Sequence, residues 1–360
     1  MGISVVLLAY KEEENLKILL PQIIENVNKT GEDYEILVID TEKPTDNTEG
    51  VCKKYGAVYI NQELPGFAGA FKTGIKYAKF DKFLIMDSDG SHDPTRIPAI
   101  HELFVSGNYD LVIGSRYVKG GKTNDAKTSI VMSKILNTVF RISLGIKAKD
   151  ISTDFRMYKT ELLKQVELTA TNYDVLEEVL MRIKLIKPDF KIGEVPINFC
   201  KRMYGESKRR LLPFIISYIK TLFFLLCLRI GKTDERATAI RNFVLYGIFG
   251  VLGMAVDYGT FAIFNVCSLG KIPEIANIVG SVCGFIFTFL MNSFLNFKKT
   301  DKLFRRFLSY GSVCVVGMIV TTTAIRFLKS LMNVYLLKAI VMIVVCFLQF
   351  IFNKLVTYRK

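Results

Sequence analysis

Two carboxylates one residue apart, Asp87 and Asp89, follow the apolar run Phe83-Leu84-Ile85-Met86. A buried strand that ends this way delivers both acids to its carboxyl edge, where they can converge on a hard divalent cation. Mg²⁺ or Mn²⁺ held by Asp87 and Asp89, with Ser91 as a third oxygen, would bridge two phosphates and neutralise a departing diphosphate. The competing assignment is an acidic turn that caps the next helix, with Asp93 as N-cap and Pro94 at the first position. Other strand ends favour the metal. Ile36-Leu37-Val38-Ile39 ends in Asp40, and Glu12 follows the first strand. Acids at such edges bind a ribose hydroxyl or a base edge. Gly66, Gly69 and Gly74 would let a backbone approach a nucleotide closely. Two basic stretches, Gly114 to Lys122 around Arg116, and Arg202 followed by Gly205-Glu206-Ser207-Lys208, supply guanidinium and ammonium groups suited to phosphate.

The elements that must position these residues alternate along residues 1 to about 200. Strands are expected over 3–8, 35–39, 57–60, 83–86 and 111–114, and helices over 13–29, 45–55 and 69–79. Strand–helix–strand repetition predicts an α/β, Rossmann-like, mostly parallel sheet covered on both faces, with ligands beyond the carboxyl ends of its strands. The opening run Ile3 to Leu8 lacks a charged leader and reads as a buried strand rather than a targeting signal.

Beyond about residue 205 the character changes. Lys208-Arg209-Arg210 precedes an apolar stretch over 211–230 that contains Lys220, which reads as one or two amphipathic helices lying on a bilayer. Four apolar segments follow at 243–266, 274–296, 307–328 and 335–357, each long enough to cross ~30 Å of hydrocarbon. The chain carries 48 basic and 34 acidic residues, a net charge of +14, while half of it is hydrophobic. That combination points to a membrane protein with basic residues beside its spans, not to a nucleic-acid binder. Lys298, Lys299, Lys302, Arg305 and Arg306 in the middle linker place that linker, the N-terminal domain and the C-terminus on the cytoplasmic side. The expected domains are 1–207, 208–238 and 239–360, the last an all-α four-span membrane domain. It contains a repeat: Arg241-Asn242-Phe243-Val244-Leu245-Tyr246-Gly247 matches Arg305-Arg306-Phe307-Leu308-Ser309-Tyr310-Gly311. Asn292 likewise echoes Asn353, so one two-span hairpin is used twice. Gly247, Gly250, Gly253, Gly280 and Gly284 allow close helix approach and permit a homo-oligomer. Asp257 is either functional or near enough to a span end to reach water. The seven cysteines read as reduced thiols, and His92 and His101 as structural.

Together, Asp87-Ser88-Asp89, Gly114-Ser115-Arg116-Tyr117, Ser152-Thr153-Asp154-Phe155-Arg156, Glu194-Val195-Pro196-Ile197 and Arg202 through Gly205-Glu206-Ser207-Lys208 resemble the inverting family 2 glycosyltransferases of the GT-A fold. The resemblance is to their polyprenyl-phosphate branch, which includes the dolichyl-phosphate mannose synthases. Residues 241–360 are similar to the GtrA-like membrane domain fused to some of them. The resemblance implies transfer of a hexose from a GDP-mannose or UDP-glucose type donor to polyprenyl or dolichyl phosphate. It implies metal at Asp87, Asp89 and Ser91, and catalytic roles for Asp89, Arg116 and Arg202. Donor contacts would come from Tyr10, Glu12, Asp40, Asp87, Arg202 and Lys208, and acceptor-phosphate contacts from Arg116, Lys127 and Ser133. The chain departs from the family pattern at Lys11, at Asp40-Thr41-Glu42-Lys43, at Asp154 where glycine is usual, and at Ser129 where arginine is common. The rival enzyme class, processive polysaccharide synthases, uses a Gln-x-x-Arg-Trp motif, and this chain has no tryptophan. The rival outside enzymes is a lipid-binding or flippase-type membrane protein with a degenerate transferase domain.

Overall fold

Aliphatic, β-branched runs build the N-terminal unit outward from its middle strand. In the computed structural model, β1 (Gly2–Leu8) pairs in parallel with β2 (Asp33–Asp40) on one side and β4 (Lys82–Asp87) on the other. Leu8 lies opposite both Ile39 and Asp87. The structure describes residues 1–204, 211–267, 273–328, 344–345 and 347–358. Expectations resting on Gly205, Glu206, Ser207, Lys208, Arg209 and Arg210, on Cys346, and on the first part of the fourth apolar segment lie outside the described residues. The chain divides into two units, Met1–Lys232 and Thr233–Lys360.

In the first unit, α1 (Glu13–Asn28), α2 (Thr48–Tyr55), β3 (Val58–Asn61) and α3 (Gly66–Tyr77) fill the connections before β4. Then come α4 (Ile97–Ser106), β5 (Leu111–Ser115), the short β6 (Lys122–Thr123) and α5 (Lys127–Leu144). They are followed by β7 (Arg156–Lys159), α6 (Thr160–Lys164), α7 (Val175–Ile186), β8 (Ile192–Pro196), β9 (Asn198–Phe199) and α8 (Leu211–Gly231). The seven-stranded sheet runs β3-β2-β1-β4-β7-β5-β8, parallel except for β7, with β6 and β9 forming a separate pair. Strand order reverses beside β1, and this opens a crevice beyond the carboxyl ends of β1 and β4. The acids after β1, β2 and β4 therefore share one edge. One core cluster, including Leu16, Leu20, Val38, Leu84 and Phe155, fills the space between the sheet and helices such as α1 and α4.

The glycines of α3 have another use than the one expected. Gly69 and Gly74 lie inside the helix, whereas Gly66 opens it with a left-handed φ of 83°. A Cβ on Gly69 would sit 1.9 Å from the Leu64 carbonyl oxygen, and one on Gly74 would sit 2.7 Å from Val6. Close packing of helix on chain and sheet, not a nucleotide, is what these two positions accommodate. The stretch expected to form interfacial helices makes one helix, α8, packed on the first unit. Tyr218 stacks edge-on with Phe140 of α5 at 5.7 Å. Thr221 donates to Asp174 at the start of α7, and Arg229 donates to the Ser143 carbonyl. Lys220 is exposed.

The second unit is helical: α9 (Asp234–Cys267), α10 (Pro273–Met291) and α11 (Leu303–Leu328). Among the described residues one helix, over Asp234–Phe264, is long and apolar enough to cross a membrane. Gly253 of α9 faces Gly284 of α10 closely enough that a Cβ on Gly284 would lie 2.7 Å from the Gly253 carbonyl oxygen, a small-residue crossing. The repeat has a structural counterpart. Both matched hairpins end in a π-helical turn that starts at an asparagine, Asn292–Asn296 and Asn353–Thr357. Asn292 donates to the Tyr310 hydroxyl at 3.5 Å and Asn353 to the Tyr246 hydroxyl at 3.0 Å, so each hairpin's asparagine reaches the other's tyrosine.

Candidate active site

The Asp87–His92 turn at the end of β4 is shaped by its own hydrogen bonds. The Asp87 N–H donates to Nδ1 of His92 at 3.0 Å. The Ser91 N–H donates to Asp89 Oδ1 at 2.9 Å, and Gly90 takes a left-handed φ of 81° to make the bend. Nδ1 is thus an acceptor. Complete burial pushes the imidazole below its ordinary value, outweighing the pull of Asp154. His92 is therefore neutral with its proton on Nε2, which faces Thr153 Oγ1 at 3.3 Å and Asp154 Oδ1 at 3.7 Å.

A strand-like segment, 199–204, crosses this turn. Phe199 bridges His92, the Cys200 N–H donates to the Ser91 carbonyl at 2.9 Å, and the Met203 N–H donates to the Asp89 carbonyl at 2.9 Å. The crossing brings Arg202 onto Asp89, with Nη2 to Oδ2 at 2.8 Å. The Tyr204 N–H donates to Asn15 Oδ1 at 3.1 Å, which ties the segment to α1. Asn15 also donates to Glu12 at 2.5 Å. Burial pushes the Glu12 carboxyl up to about 7, against that hydrogen bond and with repulsion from Asp89. On the neighbouring strand, burial raises the Asp40 carboxyl above its ordinary range, although it accepts from the Thr41 N–H at 2.7 Å and the Tyr59 hydroxyl at 3.0 Å. Tyr10 stands half exposed just before Glu12.

Of the expected metal trio, Asp87 belongs to a set that could hold a cation, but its companions differ. Asp87, His92 and Asp154 each bring one ligand atom within 4.8 Å of the others. The two carboxylates suit a hard ion, Mg²⁺ or Mn²⁺, whereas His92, with Nδ1 accepting from the Asp87 N–H and its proton on Nε2, keeps no lone pair for it and shapes the turn instead. Asp89 is turned to Arg202, and Ser91 is buried with its main chain committed on both sides. The residues present thus fit a divalent ion.

Arg116 follows β5. It is clamped by Asp150 through two charge-assisted bonds, Nε to Oδ2 at 2.7 Å and Nη2 to Oδ1 at 2.9 Å. Nη2 also donates to Ser152 at 2.8 Å and to Ser133 at 3.3 Å. Burial alone would raise Asp150, but the Arg116 hydrogen bonds and charge carry it below the usual carboxylate value. Glu194 accepts from the N–H groups of Lys149 and Asp150, fixing the loop that presents the clamp. Ser133 therefore lies with Arg116, as expected, whereas Lys127 is the exposed first residue of α5. Arg156 of the third motif is fully buried and donates to the carbonyls of Ile151, Thr153 and Leu176, holding the loop that carries Asp154. The two halves of the site adjoin at Phe199, whose ring lies 5.3 Å from the His92 ring and 5.3 Å from the Arg116 guanidinium. Asp150 and the pairing of His92 with Asp154 carried no signal in the sequence pattern, because neither stands at a motif spacing of its own.

Residues 4–167 match the family described as Glycosyl transferase family 2, and residues 245–358 match the GtrA/DPMS transmembrane domain. Arg202 and α8 fall between the two. The chain is 31% identical to a dolichol-phosphate mannosyltransferase of Pyrococcus furiosus, over 99% of each protein. It is 31% identical to a polyprenol monophosphomannose synthase of Mycolicibacterium smegmatis, over 57% of this chain and 79% of that one. An undecaprenyl-phosphate mannosyltransferase of Micrococcus luteus is 30% identical over 58% and 87%. Among solved structures, glucosyl-3-phosphoglycerate synthase from Mycobacterium tuberculosis, crystallised with Mn²⁺ and UDP, superposes with a TM-score of 0.50 at 21% identity, covering 64% of this chain and 80% of that one. That likeness is one of fold.

Proposed function

Because the chain belongs to the glycosyltransferases that join a family 2 transferase domain to a GtrA/DPMS membrane domain, we propose that it moves a hexose, mannose foremost, from a nucleotide-sugar to polyprenyl or dolichyl phosphate. The observation that carries this reading is the end-to-end match to a dolichol-phosphate mannosyltransferase. The meeting of the Asp87–Asp89 turn, Arg202 and Arg116 around one crevice supports it.

In this reading Glu12, Asp40 and Tyr10 line the nucleoside end, with Lys208 further along the chain. Arg202 meets the donor phosphates, leaving Asp89 as it does so. Asp87, with Asp89 or with Asp154, would hold a divalent cation, which would neutralise the leaving diphosphate. Arg116, Ser133 and Lys127 meet the acceptor phosphate. That phosphate carries a charge of about −1.5 to −2 near neutral pH. It is already a nucleophile, so no general base is needed. One of its oxygens forms the bond to the anomeric carbon as the bond to the diphosphate breaks, and the electron pair leaves on the nucleoside diphosphate. Direct displacement inverts the centre. The work of the protein is positioning and charge neutralisation.

The acceptor end suits a lipid. Helix α5 exposes Val131, Ile135, Val139 and Ile142 at 56, 57, 39 and 69%. Their spacing puts them along one stripe, with Lys127, Lys134 and Arg141 beside it, the pattern of a helix resting in a bilayer interface. The cytoplasmic face is the side that the basic linker assigns. The test is a panel of radiolabelled nucleotide-sugars offered with polyprenyl phosphate and Mg²⁺ or Mn²⁺. Label should enter the lipid fraction, and Asp89→Ala should abolish it. No lipid-linked product with any donor sinks the proposal.

A further inference from the structure

We propose that Lys134, Arg141 and Lys149 form the cationic wall that receives the phosphate of the isoprenoid acceptor, a task that Arg116 cannot meet alone; this rests on the function proposed above. Arg116 is already spent on Asp150. Both Asp150 oxygens are bonded to it, and its side chain is 8% exposed. A second, unpaired source of positive charge is needed for a dianion, and one stands next to it.

Tyr117, Lys134, Asn137, Thr138, Arg141 and Lys149 line a shallow cavity of about 210 Å³. An adjoining cavity of about 350 Å³ shares Arg141 and Lys149 and adds Lys147 and Glu194, whose carboxylate oxygens accept from the Lys149 and Asp150 N–H groups. Lys134 and Arg141 are seven residues apart on α5, hence on one face and ~10 Å apart along the axis. Lys149 closes the cavity from the loop after the helix. Among the described residues no carboxylate lies within ion-pair distance of these three side chains. Lys134 sits 5.6 Å over the Tyr117 ring, and Arg116 lies 5.2 Å from the same ring. The wall is wired to the inner cluster as well. Asn137, which lines the cavity, donates to Ser152 at 3.0 Å, and Ser152 accepts from Arg116.

Charge and surroundings identify the ligand. Three lone cations balance a phosphomonoester better than they do a singly charged phosphodiester. The exposed apolar residues Ile135, Val139 and Ile142 run along the same helix, where an isoprenoid chain attached to that phosphate would lie. The nucleotide diphosphate has its own cation, Arg202, at the other side of Phe199. Phospholipid headgroups present related chemistry, and the experiment separates the two sources.

Binding of farnesyl phosphate and of farnesol to the full chain in nonionic detergent would be measured by titration calorimetry. Binding to phosphatidylglycerol vesicles would be measured alongside. The triple variant Lys134→Ala/Arg141→Ala/Lys149→Ala should bind farnesyl phosphate at least about tenfold more weakly, as expected for loss of charge-assisted bonds. Farnesol binding should be unchanged, any loss of vesicle binding should be smaller than the loss for farnesyl phosphate, and Arg141→Lys should keep most of the affinity. Should the triple variant fail to fold, Lys149→Glu on the exposed loop should give the same selective loss. Unchanged farnesyl phosphate affinity overturns the proposal, as does a loss confined to the vesicles. Calorimetry reads binding without transfer. Tight farnesyl phosphate binding by a chain that transfers no sugar would therefore reject the function and leave this site standing.

Discussion

Glu12 offers a test whose size follows from the structure. Burial holds its carboxyl at about 7 rather than 4.5, with the Asn15 hydrogen bond opposing and Asp89 reinforcing the rise. The folded protein thus keeps a proton that the unfolded chain gives up near its ordinary value. The stability tied to that proton is full below about pH 4.5 and is lost as pH rises through about 7. At ~1.36 kcal/mol per pH unit the gap between the two values amounts to ~3 kcal/mol. Glu12 is only half-buried, so solvent screening reduces this to on the order of 1–2 kcal/mol. Glu12→Gln keeps an oxygen for the Asn15 donor and removes the charge. At pH 8 the variant should melt about 2–8 °C above the wild type, taking ~2–4 °C per kcal/mol for a unit the size of Met1–Lys232. Between pH 5 and 8 the wild-type melting temperature should decline while that of the variant stays flat. The assay is thermal unfolding of the full chain in detergent across that range. Parallel declines in the two proteins would refute the assignment of a buried, protonated Glu12.

Three further outcomes are expected. Arg202→Ala should lower kcat for transfer by ~10²–10³, the scale of losing one positioned charge donor, while melting changes little; an unchanged kcat would remove Arg202 from the site. Asp150→Asn strands the Arg116 charge in a nearly closed environment and should cost ~3–5 kcal/mol in a denaturation measurement, with a raised KM for the lipid acceptor. Gly69→Ala should destabilise the chain by ~1–3 kcal/mol because its Cβ meets the Leu64 carbonyl, whereas Gly247→Ala in α9, with nothing within 4 Å, should be silent in the same melt.

The parts of the fold that could be read in the sequence are those set by local pattern. Ile3 to Leu8, Ile36 to Ile39 and Phe83 to Met86 are apolar runs, interrupted only by Ser4, that end in or near acids, and they became the adjacent strands β1, β2 and β4. The matched motifs around Tyr246 and Tyr310 were visible, though not the exchange of asparagine hydrogen bonds that follows from them. Strand β7 was missed because Arg156 and Lys159 mask its period; the buried arginine is satisfied by the Tyr158 hydroxyl and by the carbonyls of Ile151, Thr153 and Leu176. The alternation of α3 glycines read as a nucleotide loop, since composition does not distinguish close approach to a ligand from close approach to Val6 and Leu64. The clamp of Asp150 on Arg116 and the approach of Asp154 to His92 join residues 34 and 62 positions apart (150 minus 116; 154 minus 92), separations at which one sequence carries no pairing information.

The central claim is that the Asp87–Asp89 turn, with a divalent ion, lets a nucleoside diphosphate depart only as a lipid phosphate takes the sugar. Nucleoside diphosphate release from the purified full chain, measured with and without polyprenyl phosphate, tests it most directly. The account predicts release that requires the lipid phosphate, matches lipid-linked sugar one for one, stops with chelator and returns with Mn²⁺. Release at the same rate without the lipid phosphate, or undiminished in chelator, would contradict it.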